Sequence, residues 1–155
     1  MFGLRALEHM RQASGSRTLL ATLYRTPLPV VSKLSSYTSE WAADFAAVKE
    51  AVDTGSATIV DVRNPGELQE EGKIPKAINL PLPELKQAME LSAEEFQQKY
   101  GCARPGQTEP LILHCKGGIR AAKAAGQLTE SGYSNLKVYQ GSFADWVSNG
   151  GPVEK

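Results

Sequence analysis

The spacing of apolar residues changes period several times along this chain, and each change marks an element. Trp41, Phe45, Val48 and Val52 recur at i, i+4, i+7 and i+11. That spacing predicts an amphipathic helix, capped by Thr38 or Ser39 and ended by Gly55. Thr58-Ile59-Val60-Asp61-Val62 is a short β-branched run and reads as a buried strand. Asn64-Pro65-Gly66-Glu67 opens a helix: Asn64 caps, Pro65 takes the first helical position, Glu67 reaches back, and Gly72 stops it. Ala77-Ile78-Asn79-Leu80 is a second strand, followed by helices over 83–89 and from the capping box Ser92-Ala93-Glu94-Glu95 to Tyr100. After a Gly/Pro-rich loop at 101–110, Leu111-Ile112-Leu113-His114 is apolar enough to be buried on both faces. An Ala-rich helix over 120–131, a strand Leu136-Lys137-Val138-Tyr139 and a helix capped by Ser142, with Phe143, Trp146 and Val147 on one face, complete the pattern. Alternating strands and helices predict an α/β fold, a central and mainly parallel sheet flanked by helices on both faces.

Composition narrows the class. The chain has 155 residues, 41% hydrophobic and 22% charged, which suits one globular domain. Two cysteines exclude a disulfide-dense scaffold and a four-cysteine zinc site, and with two histidines no metal site is expected. Acidic and basic residues balance at 17 each, so no basic footprint for nucleic acid is expected, and no apolar run reaches membrane-spanning length.

The charge is unevenly placed. Residues 1–36 hold Arg5, Arg11, Arg17, Arg25 and Lys33 against Glu8 alone, a net of +4 balanced by −4 over 37–155. On a helical wheel, Phe2, Ala6, Leu7, Met10 and Ala13 face one side, and Arg5, Glu8, His9, Arg11 and Gln12 the other. An amphipathic, Arg-rich, acid-poor start is the pattern of a mitochondrial transit peptide, and the matrix is the expected destination. Pro27, Pro29 and nearby serines mark a linker, so the division expected is 1–36 transit peptide and linker, then a folded domain at 37–155.

Chemistry is expected beyond the carboxyl ends of the strands, where open parallel sheets place their sites. Two such ends carry reactive side chains. One is Asp61-Val62-Arg63; the other is His114-Cys115-Lys116-Gly117-Gly118-Ile119-Arg120. A cysteine between a buried strand and a helix faces free backbone N–H groups, and the two glycines let the chain curl so that several amides converge. Lys116 and Arg120 add positive charge, and all of these favour the thiolate. Lowering a thiol pKa from about 8.5 to about 6.5 takes about 2.7 kcal/mol. One helix end supplies about 0.3–1 kcal/mol. Converging loop amides and Arg120 are therefore expected to provide most of the stabilisation.

Residues 111–120 resemble the active-site loop of the rhodanese (sulfurtransferase) family, in which the cysteine opens a six-residue loop. Ile59-Val60-Asp61-Val62-Arg63 with Glu67 resembles the family's Asp-Val-Arg segment. Residues 72–81, Gly-Lys-Ile-Pro-Lys-Ala-Ile-Asn-Leu-Pro, are similar to its Gly-His-Ile-Pro-Gly-Ala-Ile-Asn-Ile-Pro. Residues 139–146, Tyr-Gln-Gly-Ser-Phe-Ala-Asp-Trp, resemble its closing Gly-Gly-x-x-x-Trp stretch. The likeness runs in order from about residue 38 to 153 and is nearest to the single-domain thiosulfate sulfurtransferases, including those acting with glutathione. This chain departs from the pattern at Lys73, Lys76 and Ser142, where the family has histidine, glycine and glycine; all three lie outside the loop.

The resemblance implies that Cys115 takes the outer sulfur of thiosulfate, or of a related persulfide donor, and passes it to a thiol or cyanide acceptor such as glutathione. Lys116, Gly117, Gly118, Ile119 and Arg120 would bind the substrate, and Asp61 and Arg63 would support the loop. It implies small-molecule partners and no cofactor; composition argues against membrane and nucleic acid, and of the oligomeric states, which the sequence leaves open, a monomer is favoured. Two rivals remain. A cysteine phosphatase or arsenate reductase has five residues between cysteine and arginine, against four here, and needs a leaving-group acid. A non-catalytic interaction module on the same fold would be expected to lack Cys115. His114 is expected to point away from the cysteine, and Cys102, with no charge patterned around it, to be a bystander.

Overall fold

A computed structural model describes residues 40–155. The expected transit segment and the caps Thr38 and Ser39 lie outside the described residues. Five parallel strands form one sheet in the order β1-β5-β4-β2-β3. The strands are β1 (Ala42–Ala43), β2 (Thr58–Asp61), β3 (Ile78–Asn79), β4 (Leu111–His114) and β5 (Leu136–Tyr139). Between and after them run α1 (Phe45–Thr54), α2 (Pro65–Glu71), α3 (Leu85–Glu90), α4 (Ala93–Tyr100), α5 (Ile119–Glu130) and α6 (Ser142–Ser148).

Alternation along each strand builds two apolar layers. Val60, Leu111, Leu113, Leu136 and Val138 face a layer filled by Leu85, Met89, Phe96, Ala121, Ala124 and Leu128 from α3, α4 and α5. Ile59, Ile112 and Tyr139 face the opposite layer, filled by Val48, Ala51 and Val52 of α1 with Phe143 and Trp146 of α6. The sheet is thus covered by helices on both faces, as the alternating pattern predicts.

The first helix is shorter than its periodicity suggests. It begins at Phe45, where the Asp44 carboxylate accepts the Ala47 N–H at 2.9 Å. Trp41 leads instead into β1, and its carbonyl accepts the Val138 N–H of β5. An Ala-Ala strand carries no β pattern, so the helical spacing of Trp41 masks it. Gly55 closes α1 in the left-handed region, φ 72°.

Two departures from the family pattern share a backbone signature. Lys76 and Ser142 are the non-glycine residues of the described chain with positive φ, 64° and 55°. Each stands where the family has glycine, and a side chain held there costs about 1–3 kcal/mol of strain. Lys76 recovers a contact, its ammonium donating at 2.6 Å to the Val52 carbonyl near the end of α1. Lys73 forms an isolated bridge with Glu154, backbone to backbone, and an ion pair with its carboxylate at 3.7 Å. It belongs to the anchoring of the C-terminus.

Candidate active site

β2 and β4 are adjacent, with Asp61 in register with His114. The two reactive strand ends therefore lie side by side at the carboxyl edge of the sheet. Cys115 follows β4 directly and is buried. Its Sγ accepts the Gly118 N–H at 3.0 Å, and its own N–H donates to the Ser142 hydroxyl at 3.1 Å. Burial pushes the thiol pKa up. The amides of Ala121, Gly118 and Gly117 and the Ser142 hydroxyl push it down further than burial raises it, so the thiol lies below its ordinary value.

Only one of the two loop glycines is sterically required. Gly118 has φ 100°, and a side-chain carbon there would collide with the Gln140 carbonyl; one at Gly117 would meet open space. The loop is fastened to the start of α6 by three bonds: Cys115 N–H to Ser142 Oγ, Phe143 N–H to the Cys115 carbonyl at 2.9 Å, and Ala144 N–H to the Lys116 carbonyl at 3.1 Å.

The two loop cations are not free. Arg120 makes a bidentate pair with Glu67 at 2.7 and 2.8 Å. Lys116 pairs with Glu71. Both acids lie on α2. The Arg120 bond holds the Glu67 carboxyl at about 2, far below the ordinary carboxylate range. The same carboxylate accepts the Asn64 N–H at 2.9 Å, so one side chain both caps α2 and anchors the loop. Loop amides and Arg120 were expected to stabilise the thiolate together; the groups bonded to the sulfur are amides and a hydroxyl, while Arg120 Nη1 and Nη2 donate to Glu67.

Asp61 and Arg63 form a fully buried pair. Arg63 Nη2 donates to Asp61 Oδ2 and to the Gly72 carbonyl, both at 2.8 Å, and Nη1 to Glu71 at 3.1 Å. Its guanidinium lies 4.1 Å from the centre of the Phe143 ring. Arg63 thus ties together the end of β2, the end of α2 and the start of α6, the three segments that surround the loop. Both Asp61 carboxylate oxygens accept from Arg63, which suits a positioning role. His114 is buried, and burial lowers its pKa and leaves it neutral at physiological pH; Nε2 lies 3.6 Å from Asp61 and has no hydrogen-bond partner. Ile119, the first residue of α5, is 74% exposed. Cys102 lies beyond α4, partly buried against the core, and burial raises its pKa. Among the described residues no group of His, Cys, Asp and Glu side chains is placed to hold a metal ion.

The rhodanese-like domain family matches residues 44–149, most of the chain and all of this site. The chain belongs to the rhodanese family. It is 37% identical over 109 residues to a rhodanese domain-containing protein of Drosophila melanogaster, covering 70% of this chain and 98% of that protein. It is 36% identical over 121 residues to the thiosulfate:glutathione sulfurtransferase of Saccharomyces cerevisiae, covering 78% and 84%. The mitochondrial thiosulfate sulfurtransferase RDL2 of the same yeast is 38% identical over 94 residues, covering 60% and 62%. The solved structure of the yeast single-domain sulfurtransferase RDL2 superposes with a TM-score of 0.66 at 30% identity, covering 76% of this chain and 98% of that one.

Within this rhodanese fold, sequence reasoning identified the loop but missed how three residues shape it. Glu71 was not singled out, Glu67 was read as a cap and as part of the Asp-Val-Arg segment, and Ser142 as a helix cap and a departure from the family pattern, whereas α6 begins at Ser142 with no side-chain cap bond. Glu67 and Arg120 are 53 positions apart, and no local pattern links them. The signal for Ser142 was available: a side chain in place of a motif glycine is held there by contacts that only the fold supplies.

Proposed function

We propose that this rhodanese-family protein is a sulfurtransferase that moves a sulfane sulfur from thiosulfate, through a Cys115 persulfide, to a small thiol such as glutathione. The observation that carries the reading is the sulfur itself: Cys115 Sγ sits in a turn of converging amides, 3.0 Å from the Gly118 nitrogen, with its thiolate favoured. The thiolate attacks the outer sulfur of thiosulfate. A sulfur–sulfur bond forms, the bond to the sulfonate sulfur breaks, and its electron pair leaves with sulfite. Attack by an acceptor thiolate on the outer sulfur then returns the Cys115 thiolate, which splits one transfer into two displacements.

The loop amides from Lys116 to Arg120 would receive the negative outer sulfur, as fixed donors receive an oxyanion, and the Gly118 N–H 3.0 Å from Sγ supports that role. The interval between Cys115 and Arg120 is four residues, one fewer than in the cysteine phosphatases, which favours transfer of one sulfur over a phosphate group. The names of the yeast relatives support thiosulfate as donor and glutathione as acceptor. The mitochondrial relative, with the Arg-rich start of this chain, supports mitochondrial delivery by residues 1–36.

The test is sulfite release from thiosulfate by the full chain, with glutathione and cyanide as alternative acceptors, beside Cys115→Ser. Turnover with a thiol acceptor that disappears in Cys115→Ser is expected. Equal sulfite release by the variant would overturn the assignment.

A further inference from the structure

Ser142 is fully buried and is one of two non-glycine residues of the described chain with a left-handed backbone. A strained residue persists where its surroundings over-determine it, and the surroundings here are specific. Ser142 Oγ lies 3.1 Å from the Cys115 nitrogen, 2.7 Å from the Tyr139 carbonyl oxygen and 3.8 Å from Cys115 Sγ. The hydroxyl has one proton. Its lone pairs take the Cys115 N–H, so the proton has two destinations, the Tyr139 carbonyl or the sulfur.

Those destinations compete differently at each stage of the sulfur-transfer reading, on which the second half of this inference rests. In the free thiolate the negative charge sits on Sγ, and a hydrogen bond to an ionised acceptor is about twice as strong as one between neutral groups. In the persulfide the charge has moved to the outer sulfur, and Sγ becomes a neutral, weak acceptor. We propose that the Ser142 hydroxyl donates to Cys115 Sγ while that sulfur is a thiolate and turns back to the Tyr139 carbonyl once the outer sulfur carries the charge. Ser142 then favours the empty thiolate over the loaded persulfide and promotes release of sulfur to the acceptor.

The other charged groups around Cys115 are already fixed. Arg120 and Lys116 are held by Glu67 and Glu71, and Asp61 by Arg63. The Tyr139 hydroxyl donates to Asp145 at 2.5 Å, and His114 is neutral. Replacing Ser142 changes none of these charges, so a shift in the thiol can be traced to the hydroxyl.

Two variants separate the hydroxyl from the strain. Ser142→Gly removes the hydroxyl and relieves the backbone; Ser142→Ala removes the hydroxyl and keeps the strain. The pH dependence of Cys115 alkylation by iodoacetamide, followed on the Cys115 peptide by mass spectrometry, reads the thiol directly and requires no turnover. The midpoint is expected to rise by about one pH unit in both variants, with roughly tenfold less thiolate below it. In a fixed thiosulfate and sulfite mixture, at a pH above both midpoints, the ratio of persulfide to free enzyme should rise by a similar factor. An unchanged midpoint in Ser142→Gly, or in Ser142→Ala if the glycine variant is unfolded, overturns the proposal. A shifted midpoint with no persulfide from thiosulfate in any form upholds the contact and instead refutes the thiosulfate reading.

Discussion

Lys116 is the loop cation nearest in sequence to the nucleophile, and the pair with Glu71 neutralises it. Glu71→Gln removes that charge and keeps an acceptor oxygen for Arg63, which also retains Asp61 and the Gly72 carbonyl. The buried guanidinium therefore remains satisfied, and the fold should survive. The gain for a dianionic donor follows from Coulomb's law. A dianion roughly 7 Å from the removed charge, in a water-like dielectric of about 80, is stabilised by about 1.2 kcal/mol, or roughly eightfold. At about 0.1 M salt the Debye length of about 10 Å halves this, leaving roughly threefold. Initial rates of sulfite release against thiosulfate concentration, at low and moderate ionic strength, measure it. KM for thiosulfate should fall by about three- to eightfold, more at low salt, with kcat little changed, because the charge acts on binding rather than on the bond that breaks. An unchanged or higher KM in folded Glu71→Gln would refute the idea that the α2 acids temper the attraction of the loop for anions.

Further expectations concern the frame of the loop. Gly118→Ala should abolish activity and destabilise the loop, because a side chain there meets the Gln140 carbonyl, whereas Gly117→Ala should fold normally; thermal melts and sulfite release distinguish them. Asp61→Ala leaves the buried Arg63 without its main counter-charge and should lower unfolding free energy by about 3–5 kcal/mol, measured in urea. Glu67 has its pKa lowered from 4.5 to about 2, so its bond to Arg120 contributes fully above pH 4.5 and is lost as pH falls towards 2. Urea unfolding across that window should show stability falling with pH, with a smaller fall in Glu67→Gln.

The elements were legible because each has a local signal. The Asn64-Pro65-Gly66-Glu67 start, the apolar run of β4 and the capping box at Ser92 all rest on neighbours within four residues. β1 was hidden because two alanines have no strand pattern and Trp41 extends the period of the next helix. The site was half legible for the same reason. Cys115 and its glycines are contiguous, so the loop could be read as a unit. The partners of that loop arrive from α2 and α6, across separations of up to 53 residues, and pairing at that range is decided by packing. Arg120 therefore read as an anion-seeking cation, although the fold makes it an anchor. Ser142 read as a helix cap, although its hydroxyl faces the nucleophile.

The central claim is that Cys115 carries sulfur. Mass spectrometry of the full chain after incubation with thiosulfate alone, without any acceptor, tests it most directly. One added sulfur atom, localised to the Cys115 peptide, absent from the Cys102 peptide and removed by glutathione with regeneration of the original mass, is the result expected. Folded protein that gains no sulfur, or that gains it on Cys102 instead, would contradict the account.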